Sequence, residues 1–148
     1  MSRSPLPGRG ATSPSPSQHL LRDLALDASV LPQPRRQIVE SALAMAGASA
    51  RGLDCSKLAQ DLYASVGEGL PRTVGKQLES GIPVDVEHLR PGDLVFFAFE
   101  KRPADHVGIF AGQDVFVHVS SSARAVRVES LSKRAFAQAH VASRRFFD

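Results

Sequence analysis

From residue 35 onward apolar positions recur at helical spacing, and beyond residue 93 the period shortens to two. Ile38, Ala42 and Met45, with Val39 and Leu43 beside them, mark one face of an amphipathic helix over 35–46, begun after Pro34 and stopped near Gly47. Leu58, Leu62 and Val66, flanked by Ala59 and Tyr63, form the inward stripe of a second helix that opens with Asp54 as N-cap and ends at Gly67. A shorter helical stretch over 73–80 is bracketed by Pro71 and Gly81, and Leu89-Arg90-Pro91-Gly92-Asp93 reads as a turn leading into an apolar run.

Strand patterns follow at 94–99, 106–111, 115–119, 125–128 and 141–147, the last preceded by a helix over 132–139. The intervals between them are short, which joins them as antiparallel neighbours. Helices first and a meandering sheet afterwards predict an α+β fold, with N-terminal helices packed on a central antiparallel sheet of about five strands.

The N-terminal stretch is different. Six of the ten prolines lie before residue 35, and the first seventeen positions hold five serines, so 1–34 reads as a Pro/Ser-rich flexible tail or linker. A short helix over 17–28 fits within it, with Ser17 as N-cap and Leu20, Leu21 and Leu24 on one face. The 148 residues and 43% hydrophobic content suit one core, placed at 35–148.

Charge and cysteine content narrow the function classes. The net charge is +3, but basic residues are scattered, with no run longer than a pair such as Arg35-Arg36 or Arg144-Arg145, which argues against nucleic-acid binding. No apolar run reaches the eighteen or so residues of a membrane span, and no secretory signal is readable, because Arg22 and Asp23 interrupt the apolar stretch 20–26. A single cysteine and the absence of CxxC or Cys/His zinc spacing predict neither disulfide, metal nor cofactor.

That cysteine, Cys55, falls at the first turn of the second helix, where unpaired N–H groups and the helix dipole favour a thiolate. Downstream, His106, Gly108 and Phe110 share one face of a strand, as do Phe116, His118 and Ser120 of the next; a hairpin turning at Gly112 sets the two histidines side by side. Gly108 lacks bulk where the start of the Cys55 helix is expected to pack. Cys55 as nucleophile, His106 and His118 supply a thiol, a base and a group to orient it. An imidazole base predicts activity that falls as the pH drops below about 6 to 7. His19, His88 and His140 lie in the tail, in a turn and near the last strand, and carry no such pattern.

Asp54-Cys55-Ser56, Leu70-Pro71-Arg72-Thr73 with Gln77, the run from Leu89 to Phe97, His106-Val107-Gly108-Ile109-Phe110 and Phe116-Val117-His118 together resemble the NlpC-type peptidases, papain-like cysteine endopeptidases of bacterial peptidoglycan. The resemblance spans about 38–147. It implies a papain-like α+β fold, a catalytic set of Cys55 (nucleophile), His106 (general base and acid) and His118 (orienting residue), and substrate contacts at Asp54, Ser56 and Arg72. It further implies a peptidoglycan peptide as substrate, commonly cut between D-glutamate and a diamino acid, and a periplasmic or secreted location.

The chain departs from the family pattern at Lys57, where a glycine is usual, and in the stretch 45–52, which has no tyrosine. These departures keep two other readings open: a non-catalytic or inhibitory wall-binding module of the same fold, and a thiol amidase acting on a non-wall substrate.

Overall fold

The computed structural model describes residues 27–148. The stretch 1–26, with most of the predicted tail and nearly all of the helix expected over 17–28, lies outside the described residues; of the rest of that tail, Ala28–Val30 forms a 3-10 turn that buries Ala28 against the core. Four helices follow: α1 (Arg35–Ala44), α2 (Cys55–Ala64), α3 (Val74–Leu78) and, between the last two strands, α4 (Arg134–Ala139). The strands are β1 (Ile82–Pro83), β2 (Leu94–Phe97), β3 (His106–Gly112), β4 (Val115–Ser120), β5 (Ala125–Ser130) and β6 (His140–Arg145). They form one sheet in the order β1-β6-β2-β3-β4-β5, with every neighbouring pair antiparallel.

The sheet divides two cores. Leu94, Phe96, Val107, Ile109 and Val117 point to the side covered by α1 and α2, where they meet Ile38, Val39, Leu58, Ala59 and Tyr63. Val95, Phe97, Phe110 and Phe116 point to the other side and pack on Leu131, Phe136 and Ala139 of α4 and its approach. Strand β2 is therefore buried on both faces, which is why it reads as an unbroken apolar run.

The sheet has six strands where about five are expected. The addition, β1, is two residues long and pairs Ile82 with Arg145 and Pro83 with Arg144; so short a segment carries no periodicity. Strand β2 stops at Phe97 rather than 99 because the Asp105 carboxylate accepts hydrogen bonds from the N–H groups of Phe99, Glu100 and Lys101 at 2.9, 2.7 and 2.9 Å. Those three bonds fold the chain back, so that His106 begins β3 beside Phe97.

A buried ion cluster locks the other end of β2. The Asp93 carboxylate, fully buried, receives Arg35 at 3.1 Å and Arg145 at 2.8 Å, and also the Arg90 N–H at 2.9 Å. Arg35 donates further to the carbonyls of Pro91, Phe147 and Asp148, while the Tyr63 hydroxyl donates to the Gly92 carbonyl. Gly92 itself sits at φ +102°, a conformation that side-chain-bearing residues rarely adopt, and so fits the turn. This cluster ties α1, α2, the 90–93 turn and the C-terminal residues together.

Candidate active site

Helix α2 begins where the sequence places it. Asp54 has an extended backbone and its carboxylate accepts the Lys57 N–H at 2.8 Å, a capping bond that satisfies one orphan donor and sets Cys55 as the first helical residue. The same carboxylate is held in a forked pair by Arg72, at 2.9 and 3.2 Å, and Arg72 also donates to Ser56 Oγ at 3.0 Å. The Arg72 bonds hold the Asp54 carboxyl below its ordinary range. Buried Gln77 fastens the underlying loop, donating to the carbonyls of Ser56 at 3.0 Å and Pro71 at 2.8 Å.

Asp54, Ser56 and Arg72 are thus brought into one network, of which Asp54 faces the groove beside the thiol. Ser56 is buried beneath it. Lys57 turns along the helix to Asp61 at 2.9 Å, the i,i+4 pairing its position allows, and does not line the groove.

On β3 and β4 the two histidines meet. His106 Nε2 lies 2.8 Å from His118 Nδ1, with the rings edge-to-face. Each ring is fixed from behind by aromatics: His106 lies against Phe97 and Phe99, His118 against Phe116 and Phe136. The side on which the rings stand is not the side on which α2 packs. Gly108 accordingly does not receive the helix start: a Cβ there would come within 2.8 Å of the Phe116 ring, 3.0 Å of the Val117 carbonyl and 3.3 Å of His118 Cβ. Its bareness makes room for the β4 side chains, correcting the expected contact with α2.

Cys55 and His106 come together at one groove. Both line a groove of about 780 Å³, together with the loop before the thiol, including Arg51, and the β4–β5 turn, including Ser120 and Arg124. His118 does not line this groove; it opens on an adjoining cavity of about 280 Å³, which His106 lines as well, together with Glu129, Lys133 and Phe136. His140 bonds to Ser143 at 2.9 Å and His88 is solvent-exposed, so neither joins the site.

Electrostatics here run against the simple helix-start argument. Burial pushes the Cys55 thiol up, with the Asp54 charge adding to it, and the N–H groups of Val107, Ser56 and Cys55 only partly offset this. Burial also pushes His106 and His118 down to about 4; the neighbouring ring adds to this for His106, and Arg127 and Lys133 add to it for His118. These shifts favour a neutral thiol and neutral imidazoles over the thiolate expected from the helix dipole alone. Desolvation outweighs the dipole because the sulfur sits partly within the α1/α2 core.

Sequence reasoning missed Asp105 and Glu129. The first is visible as an acidic residue adjoining His106. The second is legible only once β5 is in register, since Glu129 faces Phe116 across the β4–β5 pair.

A helix-start cysteine and a strand-borne imidazole pair, set in helices packed on an antiparallel sheet, define the papain-like α+β class. Residues 41–145 match the model of the NlpC/P60 family. The chain is 35% identical over 103 residues to the gamma-D-glutamyl-L-lysine dipeptidyl-peptidase of Bacillus cereus, covering 68% of this chain and 31% of that one. It is 34% identical over 104 residues to the murein DD-endopeptidase MepH of Escherichia coli, covering 67% and 38%. The crystal structure of a Bacillus cereus NlpC/P60 family protein superposes with a TM-score of 0.71 at 26% identity, covering 82% of this chain and 43% of that one. This chain belongs to the NlpC/P60 family. It spans about a third of the length of the two relatives just named.

Proposed function

We propose that this chain is a cysteine peptidase that hydrolyses an amide bond in peptidoglycan stem peptides, with residues 35–148 as the peptidase unit and 1–34 as a tail or linker. Family membership and the names of the relatives support the wall substrate; the site geometry supports the mechanism. The observation that carries it is the 2.8 Å contact between His106 Nε2 and His118 Nδ1. With Nε2 engaged, Nδ1 is the one ring nitrogen of His106 left to serve the thiol in the shared groove.

In the reaction so read, His106 Nδ1 takes the Cys55 proton as sulfur attacks the substrate carbonyl. The resulting oxyanion faces the backbone N–H groups at the start of α2, which stabilise it. The imidazolium then passes its proton to the departing amine, leaving a thioester. Water, giving up a proton to His106, cleaves that thioester, and the proton returns to sulfur as the free acid leaves. Asp54, steadied by Ser56 and Arg72, is a substrate-binding group beside the nucleophile. A polymer outside the cytoplasm as substrate requires a periplasmic or secreted protein.

The bond proposed is that between D-glutamate and the diamino acid. Incubating the protein with a stem tetrapeptide and, separately, with a D,D-cross-linked dimer checks this by mass spectrometry. A new amine at the diamino acid, absent with Cys55→Ala, is the expected result; cleavage of the cross-link alone would reassign the bond, and binding without products would favour the non-catalytic reading.

The lowered imidazoles displace the acid limb of the rate profile. His106 must be unprotonated to act as base, so kcat/KM is expected to hold down to about pH 5 and to fall only as the pH approaches 4. The ordinary histidine range of 6 to 7, expected from sequence, is shifted downward by burial. A pH series on the stem peptide checks it, and a half-maximal rate near 6.5 would contradict it.

A further inference from the structure

We propose that Glu129 is a positioning residue for the imidazole pair, accepting the Nε2 proton of His118 and so fixing the tautomer in which His106 presents a bare Nδ1 to Cys55. This rests on the reading of Cys55 and His106 as the reacting pair.

Two neutral imidazoles in N···N contact share one proton between them, and its direction decides whether the first can act as a base. If His118 Nδ1 donated it, His106 Nε2 would be the acceptor, Nδ1 of His106 would carry the ring proton, and no lone pair would face the thiol. If His106 Nε2 donates, Nδ1 of His106 is free, and the single proton of neutral His118 must sit on its own Nε2. The productive arrangement therefore needs an acceptor at His118 Nε2.

That atom is buried, and no hydrogen-bond partner reaches it; the residue as a whole is 4% exposed. Glu129 Oε2 stands 3.6 Å away, and the other carboxylate oxygen is 3.6 Å from Lys133 Nζ. The β4–β5 register makes this placement: Glu129 pairs with Phe116 and Arg127 with His118, so Glu129 lies diagonally from His118 on the same face of the sheet. Rotation about the Glu129 side chain closes the gap to a hydrogen bond. The charged groups facing the pair are Arg127 and Lys133 around His118 and Asp105 next to His106. The two cations disfavour an imidazolium on His118, so the carboxylate acts on a neutral ring and orients it.

Nitrogen-15 NMR of the imidazoles in the full chain, with the rate of Cys55 alkylation by iodoacetamide at neutral pH, tests the proposal without any wall substrate. In the wild type His118 is expected to carry its proton on Nε2. Glu129→Ala is expected to erase that preference and slow alkylation by about 10- to 100-fold, the size of effect seen when metal-ligating histidines lose their outer hydrogen-bond partner. Glu129→Gln, whose amide oxygen still accepts, is expected to keep the tautomer and an alkylation rate within about threefold of wild type. A wild-type His118 protonated on Nδ1, or a folded Glu129→Ala protein with unchanged tautomer and alkylation rate, overturns the proposal. Should Glu129→Ala fail to fold, the wild-type tautomer and the Gln variant decide it. The expected tautomer and rates in a protein that cuts no stem peptide uphold the role of Glu129 and remove only the substrate reading.

Discussion

Cys55→Ala is expected to lower kcat/KM on a stem peptide by about ten-thousand-fold or more while leaving the thermal unfolding midpoint nearly unchanged. The chain has one cysteine, so no second thiol can substitute. The fold has little reason to notice, because the helix start is held by the Asp54 carboxylate, its bond to the Lys57 N–H and its pairing with Arg72, none of which involves sulfur. Alanine also keeps the small apolar contact that the side chain makes at the edge of the α1/α2 core. Activity measured by product chromatography, with unfolding followed by circular dichroism, checks both halves. A variant retaining more than about a tenth of wild-type activity would point to a different nucleophile.

Asp93→Ala is expected to cost about 3–5 kcal/mol of folding stability, the range for breaking a buried ion pair from one side. The loss comes less from the missing attraction than from what stays behind: Arg35, 3% exposed, would keep its charge in the interior with only carbonyl oxygens as partners. The Arg90 N–H would lose its acceptor as well, and the Arg145 guanidinium would keep only the His88 carbonyl. Asp93→Asn, which keeps the shape and an acceptor, is expected to be damaging to a smaller degree. Urea titration of the two variants checks the order and the size; a change below about 1 kcal/mol for the alanine variant would mean that the cluster contributes specificity rather than stability.

The parts of the site that were legible in the sequence are those made by local rules. A capping aspartate followed by a helical stripe locates Cys55 because capping is a matter of three or four consecutive residues. Alternation along 106–111 and 115–119 puts His106 and His118 on one face, and a tight turn between the strands brings them to 2.8 Å. What escaped depends on register or on burial. Glu129 is reached through the β4–β5 register, which sets it opposite Phe116, thirteen residues earlier, and the turn between those strands is carried by Arg124 at φ +55° where glycine is usual. Asp93 reads as a turn residue, and only the closing of the C-terminal strand onto it reveals a charge cluster. The raised thiol likewise follows from packing depth, which spacing does not encode.

Lys57 is an intermediate case. It stands two residues beyond the thiol, where the family pattern has glycine, and the structure turns it away from the groove to Asp61, one helical turn further on.

The partition made by the sheet has a bearing on how such a site fails. Sulfur is supplied by the layer that α2 belongs to, whereas the rings lean on the phenylalanines of the opposite layer, Phe97, Phe116 and Phe136. Loosening around α4 would disarm proton transfer and spare the thiol, and loosening around α1 would do the reverse. On the proposed reading of Cys55 and His106, nucleophile and base are thus separately breakable, each answering to its own half of the molecule.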